Sequence, residues 1–169
     1  MRYSVLAVIA LVALVGCGGS DSDDGDSRPP AAADQFVRRV DALCKDTNPQ
    51  LAAITAALTK ARDARRAGRT SLPRTFEAFA TLLREASATT QRFRTRLQAI
   101  ETPTRERAFH DALISSIEQG VSNLRLQERA AEAQDASALR ELSIKGSVIN
   151  ARSKGVISGH GGFRFCGRG

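Results

Sequence analysis

The sequence predicts an all-α protein, an antiparallel up-down four-helix bundle tied by a disulfide. From residue 36 onward, apolar residues recur at steps of three and four, which is the spacing of one helix face. Residues that favour turns or helix starts divide this pattern into four segments. The one strand-like segment, residues 163–166, is too short to build a sheet. The pattern therefore favours helices packed on helices.

The first helix is predicted from Phe36 to the glycine turn at residues 67–69. Its apolar residues are Phe36, Val40, Leu43, Cys44, Leu51, Ile54, Leu58 and Ala61. Pro49 lies inside this pattern, and proline lacks the amide donor that a helix interior needs. The sequence leaves two alternatives at this point, a kink at Pro49 or a new helix start with Asn48 as the N-cap.

The second helix carries the longest unbroken apolar pattern, with steps of four and three throughout. Its positions are Leu72, Phe76, Phe79, Leu83, Ala86, Thr90, Phe93, Leu97 and Ile100. This is a heptad seam, and at about 1.5 Å per residue the helix should extend roughly 43 Å. Such a helix packs best against helices of similar length. Ser71 is the predicted N-cap, and Pro73 falls in the first turn, where proline is tolerated.

The third helix is predicted to begin with Thr102 as the N-cap and Pro103 as the first helical residue. Its apolar stripe consists of Phe109, Leu113, Ser116 with Ile117, Gly120 with Val121, Leu124 and Ala131. The helix should continue to about Gln134. Leu126 lies off the stripe, which predicts an apolar side chain on a second face.

The fourth helix follows a predicted turn at residues 134–137. Its apolar positions are Leu139, Leu142, Ile149, Val156 and Ile157. Gly146 and Gly155 weaken it, since each costs about 1 kcal/mol relative to alanine in a helix interior. These small residues also allow the helix to approach its neighbours closely. The glycine-rich residues 159–162 then allow the chain to turn back.

The N-terminus has the pattern of a signal peptide. Arg2 precedes an apolar run at residues 5–15, which is about half the length that a membrane-spanning helix needs. Leu14-Val15-Gly16-Cys17 ends this run, and here the sequence resembles the lipobox of bacterial lipoproteins. The resemblance implies diacylglyceryl transfer to the Cys17 thiol, cleavage before Cys17 and acylation of the new N-terminus.

This resemblance divides the chain into three parts. Residues 1–16 are the predicted signal peptide, residues 17–33 the lipidated cysteine with a disordered tether, and residues 34–169 the helical bundle domain. The tether is rich in Gly, Ser, Asp and Pro, a composition that buries no core. We therefore expect the protein at the cell membrane, lipid-anchored on the extracytoplasmic face.

The remaining cysteines are placed to link the first predicted helix to the segment after the fourth. Residues 34–169 contain two cysteines, Cys44 and Cys166, in a compartment where disulfides persist. Short turns make the helices antiparallel, so the end of the fourth helix returns to the start of the first. We therefore expect Cys44 and Cys166 to pair. Closing a loop of about 120 residues stabilises a fold by up to roughly 5 kcal/mol.

Short segments of the helical domain also resemble a family. They are Asp41-Ala42-Leu43-Cys44, the turn at residues 97–103, and Phe163-Arg164-Phe165-Cys166-Gly167. In these the chain is similar to small helical lipoproteins and secreted proteins of unknown function from actinobacteria. Residues 159–162 depart from the family pattern, in which a more helical segment approaches the second cysteine. The resemblance implies the helical fold and no particular activity.

Residues suited to catalysis or metal binding are scarce. Glu106 and His110 are four apart on one helix face, with Asp111 adjacent, but one imidazole and one such carboxylate do not make a metal site. A surface salt bridge or hydrogen bond is the expected role of this group. His160 lies in a glycine-rich turn without the pattern of a phosphate loop. The sequence predicts no catalytic residue, no metal and no cofactor, and an enzyme is the least supported interpretation.

The helical domain is basic, with 23 Lys or Arg against 14 Asp or Glu. These charges are spread over the helices without interleaved aromatic residues, which argues against nucleic acid as a partner. The predicted role is binding or structural at the cell envelope, with the membrane, an envelope protein or an anionic polymer as partner. The alternative is a basic scaffold whose arginines, such as Arg92, Arg94 and Arg96, bind anionic polymers or lipid headgroups.

Overall fold

The computed structural model describes residues 32–167, and this part of the chain is all-α. It contains α1 (Ala32–Arg66), α2 (Leu72–Gln98), a 3₁₀ turn (Thr104–Glu106), α3 (Arg107–Glu132) and α4 (Ala136–His160). No β-strand occurs within these residues, so the predicted all-α four-helix class is confirmed. The predicted signal peptide, the lipidation site Cys17 and most of the predicted tether lie outside the described residues.

Contacts between side chains show that neighbouring helices run antiparallel. Arg84 on α2 pairs with Glu128 and Glu132 toward the end of α3, whereas Arg94, later in α2, pairs with Glu118, earlier in α3. Close packing joins α1 to α2, α2 to α3 and α3 to α4. This is the predicted up-down order. None of the helices within residues 32–167 combines the length and the apolar content needed to cross a bilayer.

Two apolar clusters fill the bundle, one toward each end. The distal cluster consists of Leu51, Ile54, Leu58, Phe76, Phe79, Ala80, Leu83, Ala86, Ala130, Ala131 and Leu139. The disulfide-end cluster consists of Phe36, Val40, Leu43, Cys44, Leu97, Leu113, Ile157, Phe163 and Cys166. The predicted seams supply most of these side chains. Leu72 is an exception, because it is 47% exposed, so the α2 seam enters the core at Phe76.

α1 is more continuous than the sequence suggested. It begins at Ala32, inside the predicted tether, and runs through Pro49 without a new start. Asn48 is not an N-cap, because its Nδ2 donates to the carbonyl of Phe165 at 3.0 Å. The free energy gained by burying α1 residues in both apolar clusters outweighs the cost of the backbone hydrogen bond that proline cannot donate. The helix ends at the predicted glycine turn, where Gly68 has a φ of +69°.

The predicted cap of α2 is confirmed and that of α3 is wrong. Ser71 Oγ accepts a hydrogen bond from the backbone N–H of Arg74. Thr102 instead donates through Oγ1 to the carbonyl of Ile100 at 3.0 Å. The chain then forms the 3₁₀ turn before α3 begins, a common way to start a helix. This turn places Glu106 at the N-terminus of α3.

The connection between α3 and α4 is shorter than predicted. α3 ends at Glu132, and α4 already begins at Ala136. Gln134 has a φ of +54°, in the left-handed region that ends many helices. Asp135 caps α4, since its Oδ1 accepts from the N–H of Ala138 at 2.9 Å. Three residues therefore suffice to reverse the chain, because both ends of the turn have their own backbone and side-chain hydrogen bonds.

The glycine-rich segment after α4 turns the chain back as expected. Gly161 and Gly162 have φ values of +75° and +76°, which glycine adopts without a steric penalty. The chain then returns along α1, and Cys166 forms a disulfide with Cys44, their Cα atoms 5.3 Å apart. The disulfide-tied bundle is therefore confirmed.

Candidate functional site

A cavity lies in the middle of the bundle, between the two apolar clusters. It has a volume of about 120 Å³ and is lined by residues of all four helices. Its position follows from the packing. Within residues 32–167, α1 and α4 do not pack closely against each other, whereas α1 with α2, α2 with α3 and α3 with α4 do. Its apolar wall consists of Leu51, Phe93, Leu113, Ile117, Leu124, Ile149 and Ile157. The interior of a helix bundle is a common place for a ligand site.

Four residues with carboxamide side chains line this cavity, and the oxygen atom of each is buried without a hydrogen-bond partner. They are Asn48 on α1, Asn123 and Gln127 on α3, and Asn150 on α4. Asn48, Asn123 and Gln127 are only 7%, 4% and 3% exposed. A buried acceptor without a donor costs about 1–3 kcal/mol. The layer of side chains around the cavity therefore holds several buried acceptors without donors.

Backbone carbonyls fix the orientation of these carboxamides. The side-chain NH₂ groups of Asn123 and Gln127 both donate to the carbonyl of Leu142, at 3.1 and 3.5 Å. Asn48 donates in the same way to the carbonyl of Phe165 at 3.0 Å. Turning any of these amides over would place oxygen against oxygen. In each of these three amides, the nitrogen is therefore hydrogen-bonded and the oxygen has no donor.

Gly146 allows α4 to approach two of these carboxamides. A Cβ atom at Gly146 would lie 2.8 Å from Asn123 Nδ2 and 3.3 Å from Gln127 Nε2, so any larger residue would displace them. A Cβ atom at Gly155 would meet nothing within 4 Å. The close approach that the sequence predicted for α4 is therefore made at Gly146, next to the cavity, and not at Gly155.

The other polar groups of the cavity are hydroxyls and one ammonium group. Ser153 Oγ donates to the carbonyl of Ile149 at 3.1 Å and is also hydrogen-bonded to Ser116 Oγ. Lys154 lines the cavity, whereas no Asp or Glu of the described residues does. The cavity lining thus carries neutral polar groups and one cation, without negative charge from the described residues.

A second polar cluster lies at the disulfide end. Asp41 Oδ1 accepts from the backbone N–H groups of Arg164, Phe165 and Cys166, at 3.1, 2.7 and 3.1 Å. We call Asp41, the Cys44–Cys166 disulfide and residues 164–166 the C-terminal clamp. The clamp explains why the family-like segment around Asp41 pairs with the one at the C-terminal end. The carboxylate orders the backbone that brings the second cysteine to the first.

His160, the last residue of α4, lies between Glu106 and two aromatic rings. Its Nε2 is 2.6 Å from Glu106 Oε2, and its Nδ1 is 3.0 Å from the carbonyl of Gly161. Both partners are acceptors, so only the protonated imidazolium donates to both. Burial has the largest single effect on the pKa of His160 and lowers it, but the Gly161 carbonyl and Glu106 together raise the pKa above its ordinary value. Phe109 and Phe163 cover the ring at centroid distances of 4.3 and 5.2 Å.

His110 is not the partner of Glu106 that the sequence suggested. It is buried, and its Nε2 donates to the carbonyl of Leu97 at 3.1 Å. Its Nδ1 lies 3.7 Å from Asp111. Glu106 pairs instead with a histidine 54 positions away, a contact that local spacing on one helix does not indicate. Within residues 32–167, no three His, Cys, Asp or Glu side chains are placed to hold a metal ion.

The arginines of the basic-scaffold alternative have partners on the bundle itself. The pairs are Arg92 with Thr89 at 2.8 Å, Arg94 with Glu118 at 3.3 Å, and Arg96 with Asp46 at 3.2 Å. Two of the three therefore face a carboxylate, which weakens their attraction for an external anion.

Leu126 is 39% exposed, as its position off the stripe predicted, and it borders a depression of about 360 Å³ between α2 and α3.

Sequence reasoning missed the carboxamides of the cavity. Asn48 was assigned to a helix start, and no role was given to the other three. Asn123 and Gln127 continue the steps of Ser116 and Gly120 along α3, so polar residues at core positions were the available signal.

Comparisons of the chain with protein families, with curated proteins and with solved structures find no match. We therefore infer function from the geometry of the cavity.

Proposed function

We propose that this protein is a lipid-anchored, extracytoplasmic binding protein without catalytic activity, which holds a small molecule in the cavity between its apolar clusters. The observation that carries the proposal is the cavity itself, with an apolar wall and four lining residues whose buried carboxamide oxygens have no donor. Its interior position between the two apolar clusters is typical of a ligand site in a helix bundle.

The carboxamide layer is more polar than the two apolar clusters on either side of it. Apolar side chains, such as leucine, would fill the same positions without an unpaired acceptor. Instead, residues with amide side chains from three helices line one cavity. Polar groups at such positions make sense when they serve recognition, because a few convergent polar groups in an apolar pocket give a binding site its specificity.

The proposed location rests on the lipobox-like Leu14-Val15-Gly16-Cys17 and the polar residues that follow it. Intact-mass measurement of the membrane-extracted protein tests it. We expect a mass that starts at Cys17 and includes acyl chains, with two thiols alkylated only after reduction. An unlipidated mass would contradict the anchor and would leave the binding proposal in place.

Filling the cavity tests the binding proposal. Gly120 lines the cavity, and a Cβ atom there would meet nothing within 4 Å, so Gly120→Leu places a side chain in the space without a backbone clash. Gly155→Leu is the matched control, since Gly155 also has free space and does not line the cavity. We expect wild type and Gly155→Leu to bind members of a panel of five-membered rings and short alcohols, and Gly120→Leu to bind none.

Binding would be measured by titration of the ¹⁵N-labelled protein, with the side-chain NH₂ signals of Asn123 and Gln127 as the reporters. If no member of the panel bound wild type more tightly than Gly120→Leu, the cavity would hold solvent alone and the binding proposal would be wrong. Buried water at polar groups is common enough to make this outcome informative.

The basic-scaffold alternative has less support. Arg94 and Arg96 already pair with Glu118 and Asp46, so their charge is partly neutralised before any partner arrives. Binding of an anionic polymer through arginines would also weaken steeply as salt rises, whereas binding in the cavity would change little.

A further inference from the structure

We propose that the depression between α2 and α3 binds a phosphate monoester attached to an apolar group, either on a soluble molecule or as the headgroup of a lipid. This inference goes beyond the proposed function, because the described lining residues of the depression all differ from those of the central cavity. It rests on two arginines without partners, on a neighbouring ion pair that shows their reach, and on an exposed leucine beside them.

The lining of the depression has a surplus of positive charge. Arg94, Arg125 and Arg129 line it, with Glu118 as the one carboxylate of the described residues. Arg94 Nε lies 3.3 Å from Glu118 Oε1, so these two charges offset each other. Within residues 32–167, the guanidinium groups of Arg125 and Arg129 have no ion pair or hydrogen bond. Two positive charges are therefore left for a bound anion.

These two arginines are placed to share one anion. Arg125 and Arg129 are both exposed and are four apart on α3, so they lie on one face of the helix. Like charges at this spacing repel each other, and a dianion bound to both would replace that repulsion with attraction. The guanidinium group suits a phosphate in particular, because its planar N–H groups match two phosphate oxygens at once.

A neighbouring ion pair shows what side chains at this spacing reach. Glu128 and Glu132, also four apart on α3, both contact the guanidinium group of Arg84 on α2, at 2.6 Å each. Arg125 and Arg129 precede these glutamates by three residues each, slightly less than one helical turn. They therefore lie close to the same side of α3, where two side chains one turn apart converge on a single group of opposite charge.

The remaining lining residues favour an organic ester over free phosphate. Gln91 and Ser122 add neutral hydrogen-bonding groups. Leu126 is 39% exposed and offers apolar surface next to Arg125. The depression is about 360 Å³, more than twice the roughly 150 Å³ of an engineered cavity that holds one benzene molecule. It therefore has room for a phosphate group and a ring.

Three phenyl compounds test the charge requirement on the full-length mature protein. At about pH 8, phenyl phosphate carries two negative charges, benzoate one and phenol none. We expect the Nε–H signals of Arg125 and Arg129 to shift with phenyl phosphate and to stay unchanged with phenol. Phenyl phosphate should bind about fivefold more tightly than benzoate, as for one more pair of charges near a surface. Equal affinities for phenyl phosphate and benzoate would overturn the proposal.

Three arginine variants test the location of the site. Arg125→Gln and Arg129→Gln each remove one guanidinium group without a partner. Arg152→Gln is the matched control for net charge, since Arg152 is exposed on α4 and does not line the depression. We expect the first two to bind phenyl phosphate about fivefold more weakly, and Arg152→Gln to bind it as wild type does. No weakening in the first two, or equal weakening in all three, would overturn the proposal.

Leu126→Ser tests the apolar part of the ligand. We expect wild type to bind phenyl phosphate more tightly than inorganic phosphate, and Leu126→Ser to bind the two equally. The affinity for inorganic phosphate should be the same in both proteins. A preference for phenyl phosphate that survived in Leu126→Ser would overturn the assignment of the apolar group to this depression.

Vesicles distinguish a soluble ester from a lipid headgroup. Equilibrium dialysis would measure phenyl phosphate binding to the protein in vesicles of phosphatidylcholine mixed equally with phosphatidic acid, which is a phosphate monoester. Phosphatidylglycerol, a diester, replaces phosphatidic acid as the control for surface charge. Weaker binding with phosphatidic acid than with phosphatidylglycerol would identify the headgroup as the ligand, and equal binding would identify a soluble ester. Absence of binding in both vesicles would overturn the proposal and leave the cavity proposal in place.

Discussion

The C-terminal clamp and the central cavity are both buried and both contain polar atoms, but they treat those atoms in opposite ways. In the clamp, a single carboxylate oxygen of Asp41 accepts from three backbone N–H groups. In the cavity, four carboxamide oxygens accept from none. One region has a surplus of donors around its acceptor, and the other has acceptors without donors.

Under the proposed function, this difference separates structural polar groups from groups that belong to a binding site within one small bundle. The clamp is complete without any added molecule, because its hydrogen bonds close between α1 and residues 164–166. The carboxamide oxygens beside the cavity have no donor within the described residues. Substitutions should therefore act in opposite directions in the two regions.

Loss of the disulfide should have the largest effect. The double variant Cys44→Ala and Cys166→Ala opens a loop with a sequence separation of 122. We expect the free energy of unfolding to fall by about 4 kcal/mol, chiefly because the unfolded chain gains freedom. Urea denaturation of the oxidised wild type, the reduced wild type and the double variant measures this. A loss below about 1 kcal/mol would mean that the clamp holds without its covalent bond.

Asp41→Ala should be next in size. It leaves three backbone N–H groups of the clamp without their acceptor, and the net contribution of a hydrogen bond to a charged group is about 1.5–3 kcal/mol. We expect the free energy of unfolding to fall by about 3 kcal/mol in urea denaturation. Asp34→Ala, an exposed carboxylate in the first turn of α1, is the control and should change it by less than about 0.5 kcal/mol.

Asn123→Leu should have the opposite sign. It removes an unpaired buried oxygen from the cavity and adds apolar contact with the wall, at the cost of one hydrogen bond to the carbonyl of Leu142. We expect the free energy of unfolding to rise by about 1 kcal/mol. A fall comparable with that of Asp41→Ala would show that the carboxamide layer is structural and would remove the contrast between the two regions.

The smallest effect concerns pH. The pKa of His160 is raised in the folded protein, so the stabilisation it gives is fully present below the unfolded pKa of about 6.5 and is lost as the pH rises through the raised value. We expect the free energy of unfolding to fall by about 0.5 kcal/mol between pH 6 and 8, as for an ion pair near the surface. Glu106→Gln should reduce this slope, whereas Glu101→Gln, which is exposed, should leave it unchanged. An equal slope in wild type and Glu106→Gln would assign the titration to another group.

Periodicity was sufficient to predict the helices and their order. The α2 seam predicted Phe76, Phe79, Leu83 and Leu97 as core residues because unbroken steps of four and three have no other simple interpretation. The cysteine pair then fixed which ends meet. Pro49 was misleading, since its local effect on a helix is real but is outweighed by packing on both sides of it.

The candidate site was not predictable in the same way. A carboxamide on a helix has the same sequence signature whether it faces water or an internal space, and only the packing of the neighbouring helices decides between them. Asn48 shows this most clearly, because its nitrogen donates to Phe165 in the clamp, whereas its oxygen is unpaired and the residue lines the cavity. The pairing of His160 with Glu106 likewise depends on the position of the 3₁₀ turn, which the sequence reasoning replaced with a helix start.

The disulfide has a further consequence for a protein exposed to proteases. The three connections between the helices all lie between Cys44 and Cys166 in the sequence. A peptide bond cut in any one of them leaves both fragments in a single molecule, still held by the bridge and by the interlocked helices. Nicking of a loop would therefore not release either half, and residues 44–166 behave topologically as a closed ring.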